Sequence, residues 1–400
     1  MIYFDNNATT PIAPEVFEAM KPFLTSSYGN PSSAHALGRD VKKIVENSRA
    51  KVASLLGAPL ADEIIFTSCG TESDNWAISG ALRANPEKKH IVTTRVEHEA
   101  VRNLCEKLER ESYEVTWLEV DENGFLDLDE LKNSVRADTA IVSVMLANNE
   151  TGILFPVAEI AEIVKENSNA IVHSDGVNAV GKIPVDLKNT AIDLFSLSGH
   201  KFYAPKGVGA LYVRDGITLP AFFTGGGQEN GRRAGTEAVH QIAALGKAAE
   251  LAEDFLSSGG RALLSEPQAV ARGLNSTEEI LALRNKLEDG ILKTIPNATL
   301  NGIFNRDFRL PNTSSISFAN TNGEAILAKL NDLGVCVSTG SACNSENHTA
   351  SAVLQAMNIP YSKAMGAIRF SLGRYNTEEE VDFVLEKLPG IIQEILQLSS

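Results

Sequence analysis

Apolar positions in the first 250 residues fall into short runs bounded by turn residues, and between those runs they recur at helical spacing. Ile64-Ile65-Phe66-Thr67 reads as a strand, followed by a helix from about Thr71 to Arg83. Strands at Ile91–Thr94, Glu114–Leu118, Ile141–Met145 and Ala170–His173 alternate with helices at Ala100–Arg110, Leu128–Ser134 and Val157–Glu166. Two further strands, Asp193–Leu197 and Gly209–Val213, complete the series. Strands alternating with helices predict βαβ units: an α/β fold with a mostly parallel mixed sheet, flanked by helices on both faces. In such a sheet, functional groups gather just beyond the carboxyl ends of the strands.

The pattern changes after a helix spanning Ala238 to Phe255, which runs into the breaker Ser257-Ser258-Gly259-Gly260. Helices at Thr277–Thr294, Gly323–Leu333 and Thr377–Leu396, with a strand at Ser314–Phe318, predict a smaller α+β unit. The expected division is a large domain over 13–255 and a small one over 256–400, the latter joined by an N-terminal arm, 1–12. No internal repeat or low-complexity tract interrupts either part.

Composition narrows the function classes. With 400 residues, 43% hydrophobic and 22% charged, the chain is an ordinary globular one that needs no disulfide or metal staple. Thirty-six basic against 51 acidic side chains leave a formal charge of −15, a field that repels phosphate backbones and anionic lipid surfaces. The expectation is therefore no nucleic-acid partner and no membrane partner, with room for a small anion in a local pocket. Met1-Ile2-Tyr3-Phe4-Asp5 lacks the basic start of a signal peptide, and no apolar run approaches the ~20 residues of a spanning helix. Four cysteines without a CxxC pair argue against a disulfide framework or zinc cluster and place the chain in the reducing cytoplasm.

Candidate chemistry sits at strand ends. Asp193-Leu194-Phe195-Ser196-Leu197 ends in the turn Ser198-Gly199-His200-Lys201, which places a lysine where a sheet presents functional groups. Lys201 is either a solvated loop lysine or a Schiff-base nucleophile whose pKa desolvation lowers. The preceding apolar strand ends at Asp175, either a turn aspartate or a carboxylate that keeps a pyridine nitrogen protonated. Asp plus Lys is the pair that pyridoxal 5′-phosphate (PLP) requires. Ser68, Gly70 and Thr71 form a small-residue turn into a helix, an anion site or a plain cap, with Ser198 and His200 converging on the same anion. His98, after the Ile91–Thr94 strand, is a surface histidine or an acid–base group stacked on the cofactor ring. Gly225-Gly226-Gly227 and Arg232-Arg233-Ala234-Gly235-Thr236 read as a hinge or a donor-rich loop. Arg369 lies within a strand-like alternation, exposed at an edge or aimed at a carboxylate. Among the cysteines, Cys343 occupies a small, polar stretch suited to a nucleophile, Cys336 reads as core, and Cys69 and Cys105 as packing residues.

The order of these signals is specific. From Tyr3 to Leu396 the chain resembles the group I cysteine desulfurases of the NifS/IscS family, in the class V branch of the fold-type I PLP enzymes. The matching stretches include FDNNATTP at 4–11, FTSCGTESDN at 66–75, VEH at 96–98, NNETG at 148–152 and HSDGVNAVGK at 173–182. LSGHKFYAPKGVG at 197–209, RRAGTE at 232–237, STGSAC at 338–343 and IRFSLGRYNTEEE at 368–380 continue the series. SCGTESDN, NNETG and RRAGTE stand closer to the nitrogen-fixation branch than to the housekeeping one.

The resemblance implies Lys201 as the Schiff-base lysine, Asp175 on the pyridine nitrogen and His98 on the ring. It implies phosphate contacts from Gly70, Thr71, Ser198, Gly199 and His200, with Thr236 supplied by the neighbouring subunit of a homodimer. Asn149 would contact cofactor and substrate, Arg369 the substrate carboxylate, and Cys343 would accept sulfur. Cys343 also becomes a candidate iron–sulfur ligand shared with a scaffold partner. The implied reaction converts L-cysteine to L-alanine and leaves a persulfide for an acceptor protein. At 178 the family usually carries glutamine, bonded to the cofactor's phenolic oxygen; Asn178 keeps the amide donor on a side chain one methylene shorter. Ser257–Ser276 resembles an insertion, and the stretch after Cys343 lacks the family's Leu-Glu-Pro motif. Three other readings stay open: another class V aminotransferase, a selenocysteine lyase, and a non-enzymatic thiol carrier or iron–sulfur scaffold.

Overall fold

The computed structural model describes residues 1–257, 274, 276–303, 305–339 and 350–398. The chain begins with β1 (Ile2–Tyr3), α1 (Pro14–Thr25), α2 (Ala36–Leu55), β2 (Ile64–Thr67) and α3 (Gly70–Ala84). Next come β3 (His90–Thr94), α4 (Glu99–Arg110), β4 (Glu114–Leu118), α5 (Leu128–Ser134), β5 (Thr139–Ser143) and α6 (Val157–Asn167). β6 (Ile171–Asp175), β7 (Leu194–Ser198), β8 (Gly209–Val213) and α7 (Val239–Ser257) finish the first part. The second part holds α8 (Thr277–Thr294), β9 (Ala298–Leu300), β10 (Thr313–Phe318), α9 (Gly323–Asp332) and β11 (Val335–Cys336). It ends with α10 (Ala352–Ala356), α11 (Tyr361–Ala364), β12 (Ala367–Ser371) and α12 (Glu378–Leu398).

The large sheet has seven strands in the order β2-β8-β7-β6-β5-β3-β4, all parallel except for β8, which opposes both its neighbours. Alternate residues of each strand feed opposite cores. Ile141, Ile171, Leu194 and Leu211 pack with Trp76, Ile78 and Val101 on the α3/α4 face. Val142, Val172, Phe195 and Ala210 join Val16, Val45, Leu245 and Ala249 on the face covered by α1, α2 and α7. Covering both faces is what makes these strands read as continuous apolar runs. A three-stranded sheet, β12-β10-β9, carries the second part, whose core gathers Ile316, Phe318, Phe370, Leu287 and Val384 around Phe4.

The N-terminal arm ties the two parts together. Ile2 and Tyr3 pair with Val335 and Cys336, and Asp5 bridges to Ser371. Further along, Thr10 donates to the His200 carbonyl and Ala13 to that of Tyr203.

Most predicted elements appear within a few residues of their expected bounds. The strand expected at Ile141–Met145 instead spans Thr139–Ser143, because Met145 has left the ladder and donates its N–H to Glu97 Oε1 at 3.0 Å. α1 and α2 had no counterpart in the pattern. The inner face of α2 mixes Val41, Val45 and Val52 with Gly38, Ser48 and Arg49, which dilutes its apolar signal. That small-residue face lets α2 press on α7, where a Cβ on Gly246 would come within 2.6 Å of Ser48. Cys336, expected in the core, is half-buried at the edge of the short β1/β11 pair. The Ser257–Ser276 stretch falls largely outside the described residues. Among the described residues no helix is long and apolar enough to cross a membrane.

Gly176 follows the last residue of β6 at a point of very close approach. A Cβ there would lie 1.9 Å from Phe195 Cζ. Gly176→Ala should displace the Phe195 ring and destabilise the chain by about 1–3 kcal/mol or more, read from urea unfolding. An unchanged midpoint would show that Phe195 yields without cost.

Candidate active site

β2 opposes β8 and β8 opposes β7, so two reversals bring β2 back into the direction of β7. The carboxyl ends of β2, β3, β5, β6 and β7 therefore share one edge of the sheet, where a cavity of about 580 Å³ opens. β6 delivers Asp175, and the turn after it delivers Asn178. β7 delivers Ser198, followed by His200 and Lys201 in a single 3-10 turn. The segments after β3 and β5 bring His98 and Asn149, and β12 brings Arg369 from the second part. Gly70 and Thr71, in the first turn of α3, close one end.

Three candidates stand apart. Gly199 does not line the cavity: its N–H is committed to the Val208 carbonyl at 3.0 Å, and a Cβ would come 2.9 Å from Ala204, so it serves packing. Thr236 is exposed and outside the cavity of its own chain. Cys343 lies outside the described residues, and no cluster of metal-ligating side chains occurs among those that are described.

The lysine is held by the arm. Lys201 Nζ donates to the carbonyls of Asn7 at 2.5 Å and Ala8 at 3.1 Å. Arg369 donates through Nη2 to Asp5 at 2.7 Å and through Nη1 to the Asn149 carbonyl at 2.9 Å, while its buried Nε has no partner among the described residues. Of the two neighbouring asparagines, Asn148 is structural: its Oδ1 accepts from Glu150, Thr151 and the Thr151 hydroxyl, and its Nδ2 donates to Val96. Asn149 is the one that faces the cavity. His98 caps α4, its Nδ1 accepting from Ala100 at 3.1 Å, so the other ring nitrogen remains for chemistry.

Burial dominates the electrostatics. Asp175 accepts from Val177 at 2.8 Å through Oδ1, and its second oxygen makes no hydrogen bond among the described residues; burial raises its pKa, while His98 and Lys201 pull it back. Burial likewise lowers His98, with the charge of Lys201 adding to the effect and Asp175 opposing it. His200 is pushed down to about 4 by burial and then by Lys201, so it stays neutral. Two further buried carboxyls stand near Asp175. Burial holds Asp74 well above the carboxylate range, the charge of Asp175 raising it further, and it holds Glu97 at about 8. His173, pushed down to about 3, bonds the hydroxyls of Ser143 and Ser196 at 2.9 Å each. Its 3.6 Å approach to Asp74 is thus a contact of two neutral groups and no ion pair.

The donor set suits a phosphorylated, positively polarised ring. Cys69, the N-cap of α3, makes no side-chain cap bond, so the first-turn amides stay free for an anion. Ser198 Oγ, at that same end, is buried without a partner among the described residues. A Cβ on Gly70 would meet Val177 at 2.7 Å and Ser198 at 3.5 Å, so only glycine leaves the cradle open. Residues 2–384 match the model of the family described as Aminotransferase class-V.

The chain belongs to that family. It is similar to cysteine desulfurase 2 of Trichormus variabilis, 50% identical over 399 residues that cover 100% of this chain and 95% of the relative. The cysteine desulfurase NifS of Azotobacter vinelandii is 48% identical over 398 residues, covering 100% of this chain and 94% of the relative. A solved NifS-like protein superposes with a TM-score of 0.87 at 38% identity, covering 98% of this chain and 99% of its own. The family's enzymes depend on PLP, and the residues here fit it: an anion cradle at α3, a carboxylate at Asp175 and an amine at Lys201.

Several site residues of this class V chain were not singled out from the sequence: Asp5, Asn7, Asp74, Glu97, Glu150 and Lys182. Each sits inside a stretch that carried the family resemblance, but only the folded contacts reveal its role. Glu97 generates a test. Its folded pKa of about 8 lies above the ordinary 4.5, so the folded chain keeps a proton that the unfolded chain loses. The stability linked to that proton is complete below about pH 4.5 and fades as pH rises towards 8. Glu97→Gln should therefore flatten the pH dependence of the cofactor-free protein by up to about 1.4 kcal/mol per pH unit in that window. Urea unfolding at pH 5 and pH 8 reads the difference; parallel behaviour of variant and parent would refute it.

Proposed function

We propose that the chain is a cysteine desulfurase that takes the sulfur of L-cysteine, releases L-alanine and leaves a persulfide on Cys343. The observation that carries this reading is the convergence of Lys201, Asp175 and the α3 N-terminus on one cavity that Arg369 enters from the second part. Bound PLP supplies an electron-poor ring able to hold the electron pair released at the substrate's α-carbon. Asp175 keeps the ring nitrogen protonated, since a buried carboxylate oxygen that no described residue engages favours a cationic partner. The first-turn amides of α3, with Thr71, Ser198 and His200, bind the phosphate, while His98 packs against the ring.

Arg369 binds the substrate carboxylate, its planar fork keeping an Nε that no described residue engages. Asn149 borders the same space and orients cofactor and substrate. The Lys201 amine moves the α-proton. The Cys343 thiolate then bonds to the substrate sulfur as the carbon–sulfur bond breaks, with the electron pair remaining on the alanine skeleton. Thr236, exposed and away from its own cavity, serves the phosphate of a second copy in a homodimer.

The persulfide passes to an acceptor in iron–sulfur cluster assembly, with Cys343 a shared ligand during transfer. SCGTESDN, NNETG and RRAGTE, which stand closer to the nitrogen-fixation branch, favour nitrogenase clusters as one destination. The free thiols of Cys69, Cys105 and Cys336 suit the cytoplasm. The desulfurase relatives favour this reading over a selenocysteine lyase.

Borohydride treatment of the PLP-loaded protein followed by peptide mapping should find the cofactor on Lys201, and Lys201→Ala should abolish both adduct and turnover. Cys343→Ser should retain the adduct, bind L-cysteine and form no persulfide. Sulfur release by that variant at the parental level would overturn the role of Cys343.

A further inference from the structure

Behind Asn178 stands a second lysine that the chemistry above leaves unused. Lys182 Nζ donates to Asn178 Oδ1 at 3.2 Å and to Asn7 Oδ1 at 3.0 Å. The direction of these bonds follows from fixed backbone groups. Asn312 Nδ2 donates to the Leu372 carbonyl at 3.1 Å, which leaves its Oδ1 to accept from the Thr313 hydroxyl at 3.0 Å. Having spent its proton, that hydroxyl accepts from Asn7 Nδ2 at 2.8 Å, and the same nitrogen reaches the Asn149 carbonyl at 3.1 Å. Asn7 Oδ1 therefore faces Lys182 as an acceptor, and the lysine, rich in donors, meets an oxygen at Asn178 as well.

With its oxygen held from behind, the Asn178 amide has one orientation. Its Nδ2 makes no hydrogen bond among the described residues, and Asn178 lines the cavity. An amide that nothing grips can turn over and present its oxygen, which would repel an anionic ring oxygen. Asparagine also has a shorter reach than glutamine, so its orientation matters more here.

We propose that Lys182 is a positioning residue that grips Asn178 Oδ1 and so turns the Asn178 amide nitrogen into the cavity as a donor to the anionic ring oxygen of the bound cofactor. This inference rests on the PLP reading given above. Burial, with the charges of Lys201 and Arg369 adding to it, lowers the pKa of Lys182 well below the usual lysine range, and the neutral amine still carries two N–H donors, one for each oxygen; Asp175, His98 and His200 face the cavity that Asn178 lines.

The test is a double-mutant cycle on the PLP-loaded full chain: Lys182→Met, Asn178→Ala and the pair, read by pH titration of the cofactor's visible band. Losing a donor to an oxygen anion makes proton release harder, so each single variant should raise the midpoint by about one unit, a tenfold change in proton affinity. The double variant should shift no further than Asn178→Ala alone. An unmoved midpoint in either single variant would overturn the proposal. Additive shifts would overturn it too, since they would mean that Lys182 acts through its charge and not through Asn178. Should Lys182→Met not fold, Lys182→Gln, whose amide falls short of both acceptors, takes its place in the cycle. Absence of any cofactor band in the parent would sink the PLP reading itself, a result distinct from a band that titrates unchanged.

Discussion

A single carboxylate must stay charged at the end of a strand buried on both faces, and much of the site is arranged around that demand. Asp175 closes β6 in the middle of the seven-stranded sheet, where desolvation pushes it towards neutrality. His98 and Lys201 oppose that tendency from loops that leave neighbouring parts of the same sheet edge. The adjacent carboxyls, Asp74 and Glu97, are themselves held neutral by burial and so do not compete for the same cations. His173, bonded to the hydroxyls of Ser143 and Ser196 and kept neutral by burial, adds no positive charge beside Asp74.

The N-terminal arm satisfies a second demand, that an amine and a guanidinium from different parts of the chain face one space. Asn7 and Ala8 offer carbonyls to Lys201, and Asp5 offers a carboxylate to Arg369. The arm is itself held by backbone pairing to β11 and β12 and by bonds to the turn around His200. The cavity thus gets its alignment from main-chain hydrogen bonds, which are short-ranged and directional.

Much of the large sheet could be read from hydropathy because its strands are covered on both sides and its helices on one. The reading faltered where burial is achieved without apolar bulk. α2 is invisible as a stripe since Gly38, Ser48 and Arg49 are among its inner residues, the arginine paired there with Glu229 at 2.6 Å. In the site, the strand-end rule pointed to Asp175, Ser198 and Lys201, whereas Asp5, Asn7 and Lys182 lie off that edge in sequence and reach it only through pairing across 142 to 364 positions. Gly199 illustrates the converse: the turn around it faces the cavity, yet its own amide and missing side chain face inward.

By itself, the order of residues determined the alternation of strands and helices, the residue types able to hold a phosphorylated ring, and the family to which the chain belongs. Those properties are local or cumulative along the chain, so periodicity and motif order carry them. Tertiary structure alone decided which donor the amide oxygens of Asn178 and Asn7 accept from and which carboxyls stay neutral. Hydrogen-bond direction and desolvation depend on partners that meet only once the sheet has closed.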